Sequence, residues 1–146
     1  MMVLDFLKKI SDINFNGNKN LFSWIKNEIK LGNGNNVYDN LKCYQVNNKI
    51  LGCIIRDVIL LNNLDYNNKV NDEYLFPIDT WVRQLYKIIS GKENNDSIIK
   101  EYFISKCNEL RYSIPLIAAG CWYVSANSFN ILIPLVTKIQ FCNDVI

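Results

Sequence analysis

The chain has 146 residues, of which 49% are apolar, and a formal net charge of +2. This length and composition favour one folded domain with its own core and exclude an intrinsically disordered protein. Histidine is absent, so any catalysis has to use Lys, Asp, Glu, Tyr or Cys. The low charge neither indicates nor excludes a nucleic-acid partner, because a local basic surface matters more than the total charge.

In the first half of the chain, apolar residues recur at helical spacing. The segment VLDFLKKI (3–10) predicts a helix, and NLFSWIKNEIKLG (20–32) predicts a second one that is capped by Asn20 and ended by Gly32. GNGNN (32–36) predicts a loop, followed by helices in VYDNLKCY and KILGCIIRDVILLNNL. The polar, Asn-rich residues 62–75 predict another loop.

In the second half, DTWVRQLYKII predicts a helix after Pro77 that Gly91 closes. A further helix is expected to begin at a cap, either Asp96 or Ser97. No charge occurs between Arg111 and Lys138, but the polar residues and prolines in this run predict two short buried helices rather than a membrane span: Pro115, Ser125, Asn127, Ser128, Asn130 and Pro134.

No segment alternates over the length of a strand, and no linker separates two domains. The sequence therefore predicts a single all-α domain over residues 1–146, with about eight short helices and no membrane partner.

Five cysteines lie far apart in the sequence, at positions 43, 53, 107, 121 and 142. Their odd number, with no CxxC pair and no signal peptide at the start, predicts reduced thiols in an intracellular protein. The spacing matches neither a zinc site nor an iron–sulfur site. We expect buried, apolar cysteines and neither a metal nor a cofactor.

Residues 41–61, LKCYQVNNKILGCIIRDVILL, predict two helices joined by a break of about four residues. This is the layout of a helix-hairpin-helix element, here about residues 37–63, whose turn offers backbone N–H groups to a phosphate. The turn usually needs glycines, and here Gln45 and Asn47 stand at the corresponding positions; Asn tolerates positive φ better than most residues. An ordinary corner between two packed helices fits the same pattern.

Together with the segment FPIDTWVRQLYKI, this element resembles the helix-hairpin-helix DNA glycosylase family. Lys49 matches the lysine that ends the hairpin in that family. The second element is similar to the family pattern PVDTHVRR, with Trp81 where many members carry His, and its matching residues are Pro77, Ile78, Asp79, Thr80, Val82 and Arg83. The separation of Lys49 and Asp79 is similar to that of the archaeal 8-oxoguanine glycosylase branch.

The resemblance implies a DNA glycosylase with AP-lyase activity on an oxidised purine, with double-stranded DNA as partner and Lys49 and Asp79 as catalytic residues. The lyase reaction needs a neutral amine that attacks the sugar. Lys49 would lie in the first turn of its helix, where the helix dipole and apolar neighbours such as Ile50, Cys53 and Ile54 disfavour the ammonium form. An ionised Asp79 at a helix start would stabilise positive charge that develops on the sugar.

Two arginines and two asparagines are candidate DNA contacts. Arg56 would contact a phosphate or form an ion pair with Asp57 or another acid. Arg83, with Lys87 one turn later, would belong to a strip that binds the DNA backbone or to a solvated helix face. Asn47 and Asn48 would donate backbone N–H groups to a phosphate if the hairpin forms.

The aromatic residues Trp122 and Tyr123 also have two interpretations. They would stack on an extruded base, or they would pack in the protein core.

Two other functions stay open. A non-catalytic helix-hairpin-helix module, as a homodimer or as a subunit of a larger complex, needs the hairpin amides and basic residues on one exposed face. A helical protein whose Asp79 is only a helix cap would have Lys49 in water, away from Asp79. Catalysis requires the two side chains to converge on one cleft.

Overall fold

A computed structural model describes residues 20–42 and 47–127, and each regular element in these ranges is an α-helix. The all-α prediction is therefore confirmed for the described residues. The predicted helix at 3–10 lies outside them. The helices are α1 Leu21–Lys30, α2 Gly34–Lys42, α3 Asn48–Asn62, α4 Asp72–Leu75, α5 Thr80–Ser90, α6 Asp96–Leu110 and α7, which is helical over 114–127.

The chain divides into two compact units, the first ending at Pro77 and the second beginning at Ile78. The first unit contains α1 to α4, and the second contains α5 to α7. The single domain expected from the sequence stays a prediction.

In the first unit, α1 follows its predicted signals. The Asn20 side chain accepts a hydrogen bond from the Ser23 backbone N–H (2.9 Å), and Gly32, just past the helix end, has a φ of +86° that favours glycine. The loop predicted at 32–36 is wrong in its second half, because α2 begins at Gly34. A Cβ at Gly34 would lie 2.6 Å from the Lys69 carbonyl oxygen, so the glycine lets α2 start against that segment.

The loop predicted at 62–75 contains the short helix α4. The Asn71 side chain caps it by accepting a hydrogen bond from the Glu73 backbone N–H. The rings of Tyr74 and Tyr38 stack with centroids 3.7 Å apart. The core of the first unit is apolar and includes Ile25, Ile29, Val37, Leu41, Leu51, Ile55, Leu75 and Phe76. Burial of the residues that end α4 explains why a polar stretch forms a helix there.

In the second unit, Gly91 ends α5 in the left-handed conformation, as predicted. The cap of α6 is Asn95, one residue before Asp96 and two before Ser97, which were the predicted caps. Its side chain accepts a hydrogen bond from the Ile98 backbone N–H.

Helix α7 contains three of the six residues that were expected to interrupt the uncharged run, Pro115, Ser125 and Asn127, so these three do not break the helix. Pro115 lies in the first turn of α7, where a missing N–H removes no helical hydrogen bond. Ser125 lies within the same helix and is buried, and the Asn127 side chain donates to the Tyr123 carbonyl oxygen. The later positions of the uncharged run lie outside the described residues. None of the described helices has the length and apolar character needed to cross a membrane.

Three cysteines belong to the described residues: Cys107 is buried, whereas Cys53 and Cys121 are half-buried. Burial is thus confirmed for Cys107 and only partial for the other two. No cluster of three or more Cys, Asp or Glu side chains suited to a metal ion occurs within 20–42 and 47–127.

We expect Cys121 to react slowly with iodoacetamide in the folded protein. Burial, with a smaller contribution from the charge of Cys107, raises the pKa of the Cys121 thiol to about 11, so roughly one thiol in a thousand is ionised at pH 8. Mass spectrometry of peptides alkylated at pH 8, with and without urea, measures this effect. Equal labelling of Cys121 in the two conditions would contradict the expectation.

Candidate functional site

Lys49 lies in the first turn of α3, as predicted. The helix begins at Asn48, and the Asn47 side chain caps it by accepting a hydrogen bond from the Lys49 backbone N–H (2.9 Å). All four residues at this helix start, Asn47, Asn48, Lys49 and Ile50, are exposed. The start of α3 is therefore an accessible, polar surface with one lysine in it.

Asn47 does not use the left-handed conformation that a hairpin glycine would supply. Its φ is −59°, because the residue acts as the helix cap instead. Gln45, the other hairpin position, lies outside the described residues. The helix-hairpin-helix element thus stays a prediction.

The apolar neighbours of Lys49 differ in their burial. Ile50 is half-exposed (50%), while Cys53 and Ile54, one turn further along α3, are half-buried. The apolar surroundings predicted for Lys49 are therefore only partly buried.

Gly52 has a packing role near Lys49 that its sequence context did not predict. A Cβ at this position would lie 2.6 Å from the Tyr74 carbonyl oxygen and 3.4 Å from the Pro77 Cβ. The glycine therefore lets the segment before the unit boundary pack against α3. Gly52 comes three residues after Lys49, and Pro77 comes two residues before Asp79. A glycine inside a strongly apolar helix was the available signal.

Asp79 is the N-cap of α5, which confirms the cap interpretation. Its Oδ1 accepts a hydrogen bond from the Val82 backbone N–H (2.9 Å), and its backbone carbonyl accepts from the Arg83 N–H (3.0 Å). The residue is only 6% exposed. A buried carboxylate is thus held in one orientation by a hydrogen bond at the helix start.

Arg83 and Asp96 form an ion pair with two hydrogen bonds. The Arg83 Nε donates to Asp96 Oδ1 (2.6 Å), and Nη2 donates to Oδ2 (2.7 Å). These bonds raise the pKa of Arg83, and the charges of Asp96 and Asp79 raise it further. The pKa of Asp96 is lowered, first by the hydrogen bonds from Arg83 and also by the charges of Arg83 and Lys100. Charges of alternating sign therefore run from Asp79 through Arg83 and Asp96 to Lys100.

The predicted strip of Arg83 and Lys87 is engaged within the protein. Arg83 binds Asp96, and Lys87 binds Glu93. Both lysine and arginine side chains are about half exposed, so the helix face is solvated but its charges are paired. A DNA phosphate would have to compete with these carboxylates.

Arg56 forms an ion pair with Asp57, which was the second of its two predicted roles. The residue is only 7% exposed, and its Nε and Nη2 each lie 2.8 Å from Asp57 Oδ1. The guanidinium is thus occupied by the neighbouring carboxylate, and a phosphate contact stays a prediction.

Trp122 and Tyr123 lie on α7 and are exposed, at 45% and 63%. The alternative in which both pack in the core is therefore wrong. Exposed rings are available for stacking, but they are equally compatible with an ordinary surface.

Lys49 belongs to the first unit and Asp79 to the second. Comparisons with models of known protein families, with curated proteins and with solved structures found no match. Each unit thus contributes one candidate group: the exposed Lys49 at the start of α3 and the Asp79 carboxylate held at the start of α5.

Proposed function

We propose that the protein is a DNA glycosylase with AP-lyase activity on an oxidised purine such as 8-oxoguanine. Lys49 is the nucleophile, Asp79 assists it, and double-stranded DNA is the partner inside the cell. In this proposal residues 37–63 form a helix-hairpin-helix element within a glycosylase-like fold of about eight short helices. The observation that supports the proposal best is the buried Asp79 carboxylate, which accepts a hydrogen bond from the Val82 N–H. Asp79 directly follows Pro77 and Ile78, as in the family pattern.

The reaction follows from the two side chains. The neutral Lys49 Nζ attacks the sugar C1′, the bond between C1′ and the base breaks, and the base leaves with the bonding electrons and takes up a proton. Ring opening then gives a Schiff base. Loss of a C2′ proton breaks the C3′–O bond and releases the 3′ phosphate ester, and water finally hydrolyses the Schiff base. Asp79 stabilises the positive charge on the sugar and guides the protons.

The start of α3 supports DNA binding as well. Asn47 and Asn48 are exposed next to Lys49, and the N-terminal end of a 15-residue helix carries a positive partial charge. A phosphate bound there would place the sugar backbone beside the amine. Trp122 and Tyr123 supply exposed rings for an extruded base in this proposal.

We expect borohydride to trap a covalent complex between the wild-type protein and a duplex that carries 8-oxoguanine or an abasic site. Lys49→Gln should reduce the adduct at least about 100-fold, because the variant has no amine to form the Schiff base. Lys30→Gln is the matched control, since Lys30 is also exposed and ends helix α1, outside residues 37–63. It should trap as much DNA as the wild type.

Two results would overturn the catalytic proposal. The first is a wild-type protein that forms no adduct on either duplex, and the second is an adduct that persists in Lys49→Gln.

A non-catalytic DNA-binding module, as a homodimer or as a subunit of a larger complex, is the second candidate. The joint exposure of Asn47, Asn48, Lys49 and Ile50 supports it, because a binding surface needs accessible groups but no pocket. Salt-dependent binding of duplex DNA without a trapped adduct would favour this function over the enzyme.

A further inference from the structure

We propose that helix α7 carries a surface through which two copies of this chain associate. The surface is the solvent-facing side of the helix, formed by Leu116, Gly120, Tyr123 and Asn127, which we call the α7 stripe. It belongs to the second unit alone and goes beyond the proposed function.

The α7 stripe is one face of the helix. Its four members follow one another at intervals of four, three and four residues, so they lie in a narrow row along the helix. Leu116 is 59% exposed and Tyr123 is 63% exposed, whereas Ile114, Ala118 and Ser125 on the opposite face are buried. The helix thus packs one face into its own unit and leaves an apolar face in water.

Charge is absent from this exposed face, since no residue of α7 is charged. The other two helices of the unit do expose charges, such as Lys87 on α5 and Glu101 on α6. The Asn127 side chain donates a hydrogen bond to the Tyr123 carbonyl oxygen (2.9 Å), so this donor is satisfied within the helix. An uncharged, apolar helix face that remains exposed favours contact with another apolar surface.

A second copy of the chain fits the α7 stripe better than a charged partner does. The stripe offers neither a lysine nor an arginine to a phosphate, and no carboxylate to a basic segment. In a contact between two identical surfaces, a charge would meet its own kind or lose its water without compensation. The uncharged stripe avoids both costs when it meets itself.

The shape of the stripe also suits an antiparallel pair of α7 helices around a two-fold axis at Gly120. Outside the helix itself, nothing lies within 4 Å of the position of a Cβ at Gly120, so two helices can approach closely there. Leu116 comes one turn before Gly120, and Tyr123 comes about one turn after it. Antiparallel packing therefore places Leu116 of each copy level with Tyr123 of the other.

The size of the surface predicts a weak dimer. Together with the exposed neighbours Tyr112 and Trp122, the stripe offers roughly 400–500 Å² per copy, which is less than the about 800 Å² per partner of a standard interface. We therefore expect reversible association, with a dissociation constant of roughly 100 µM.

Sedimentation velocity of the full chain without DNA tests the association, from roughly ten times below to ten times above this dissociation constant. The wild type should pass from mostly monomer to mostly dimer. Gly120→Lys should weaken the dimer at least about tenfold, because two ammonium groups would face each other at the axis. Ser105→Lys adds the same charge at an exposed position of α6 and should associate as the wild type does.

Two further variants test the antiparallel pairing. Leu116→Lys and Tyr123→Asp should each weaken the dimer about tenfold, since each brings an unpaired charge into the contact. Both positions are exposed, so neither change enters the core. A mixture of the two variants should recover association to within about threefold of the wild type, because one contact then pairs the new lysine with the new aspartate and the other contact is native.

A wild type that stays monomeric over the whole range overturns the proposal and leaves the α7 stripe to another partner. Association of Gly120→Lys at the wild-type level also overturns it, since a different surface then forms the dimer. A mixture that associates no better than either variant alone would exclude the antiparallel pairing. None of these measurements uses DNA, so a failure of the glycosylase proposal in the trapping assay leaves them unaffected. In the dimer Tyr123 is covered, and the exposed ring of Trp122 is left for an extruded base.

Discussion

Replacing Gly52 by alanine is expected to lower the free energy of unfolding of the first unit by about 1–3 kcal/mol. The new Cβ would lie 2.6 Å from the Tyr74 carbonyl oxygen, and the obstacle is backbone, which cannot rotate away. The segment from Tyr74 to Pro77 would have to move away from α3. This cost exceeds the gain in helix propensity of about 1 kcal/mol that alanine has over glycine.

Gly120→Ala is the matched control for Gly52→Ala. Gly120 is also inside a helix, but it is exposed and nothing lies within 4 Å of the position of a Cβ. The variant should therefore raise the free energy of unfolding by about 0.5–1 kcal/mol. Urea unfolding followed by circular dichroism measures both variants. Changes of the same sign in the two variants would contradict the close contact at Gly52.

Local signals in the sequence predicted the helices well. Asn20, Asp79 and Gly91 act at helix ends through hydrogen bonds and backbone conformations that span three or four residues, so a short window contains the whole cause. The periodic apolar residues of α3 likewise define a buried face without any knowledge of the partner helix. In α5 only Val82 and Tyr86 are buried, and the apolar residues Trp81 and Ile89 are exposed.

Contacts between distant residues were not predictable in the same way. The start of α2 at Gly34 depends on the backbone of Lys69, and nothing near Gly34 in the sequence indicates that neighbour. Arg83 and Asp96 are 13 residues apart in the sequence and join two helices, whereas helical spacing had suggested that Arg83 and Lys87 form a basic strip. Patterns of one helix cannot specify which side chain a second helix brings opposite it.

In the candidate site, too, local features were predictable from the sequence and contacts between distant residues were not. The cap at Asp79 was predicted from local signals. The capping bond of Asn47 was not, because the hairpin interpretation placed Asn47 at a glycine position of a turn. The burial of Asp79 and the role of Gly52 were not, since both depend on the packing of other segments. The convergence of Lys49 and Asp79 stays a prediction for the same reason, and it is best tested through the chemistry.

Substitutions at Asp79 should separate the cap from the catalyst. Serine is about as good an N-cap as aspartate. Replacing an N-cap by alanine typically lowers the free energy of unfolding by about 1 kcal/mol, and in some proteins by about 2 kcal/mol. We therefore expect Asp79→Ser to unfold in urea near the wild-type midpoint and Asp79→Ala to be clearly less stable. The same pair of changes at Asn95, the cap of α6, is the matched control for capping without a proposed chemical role.

The Asp79 variants should rank differently in activity than in stability. If the carboxylate guides protons at the sugar, Asp79→Ser and Asp79→Ala should both slow single-turnover trapping by roughly 100-fold or more, since neither has an ionised group. The Asn95 variants should trap at the wild-type rate despite a similar loss of stability in Asn95→Ala. Trapping by Asp79→Ser at the wild-type rate would mean that the hydrogen bond to Val82 accounts for Asp79 completely, and that Lys49 acts without a carboxylate. Because a hydroxyl can replace the carboxylate as a cap but not as an anion, this single substitution distinguishes the two roles that one helix start combines.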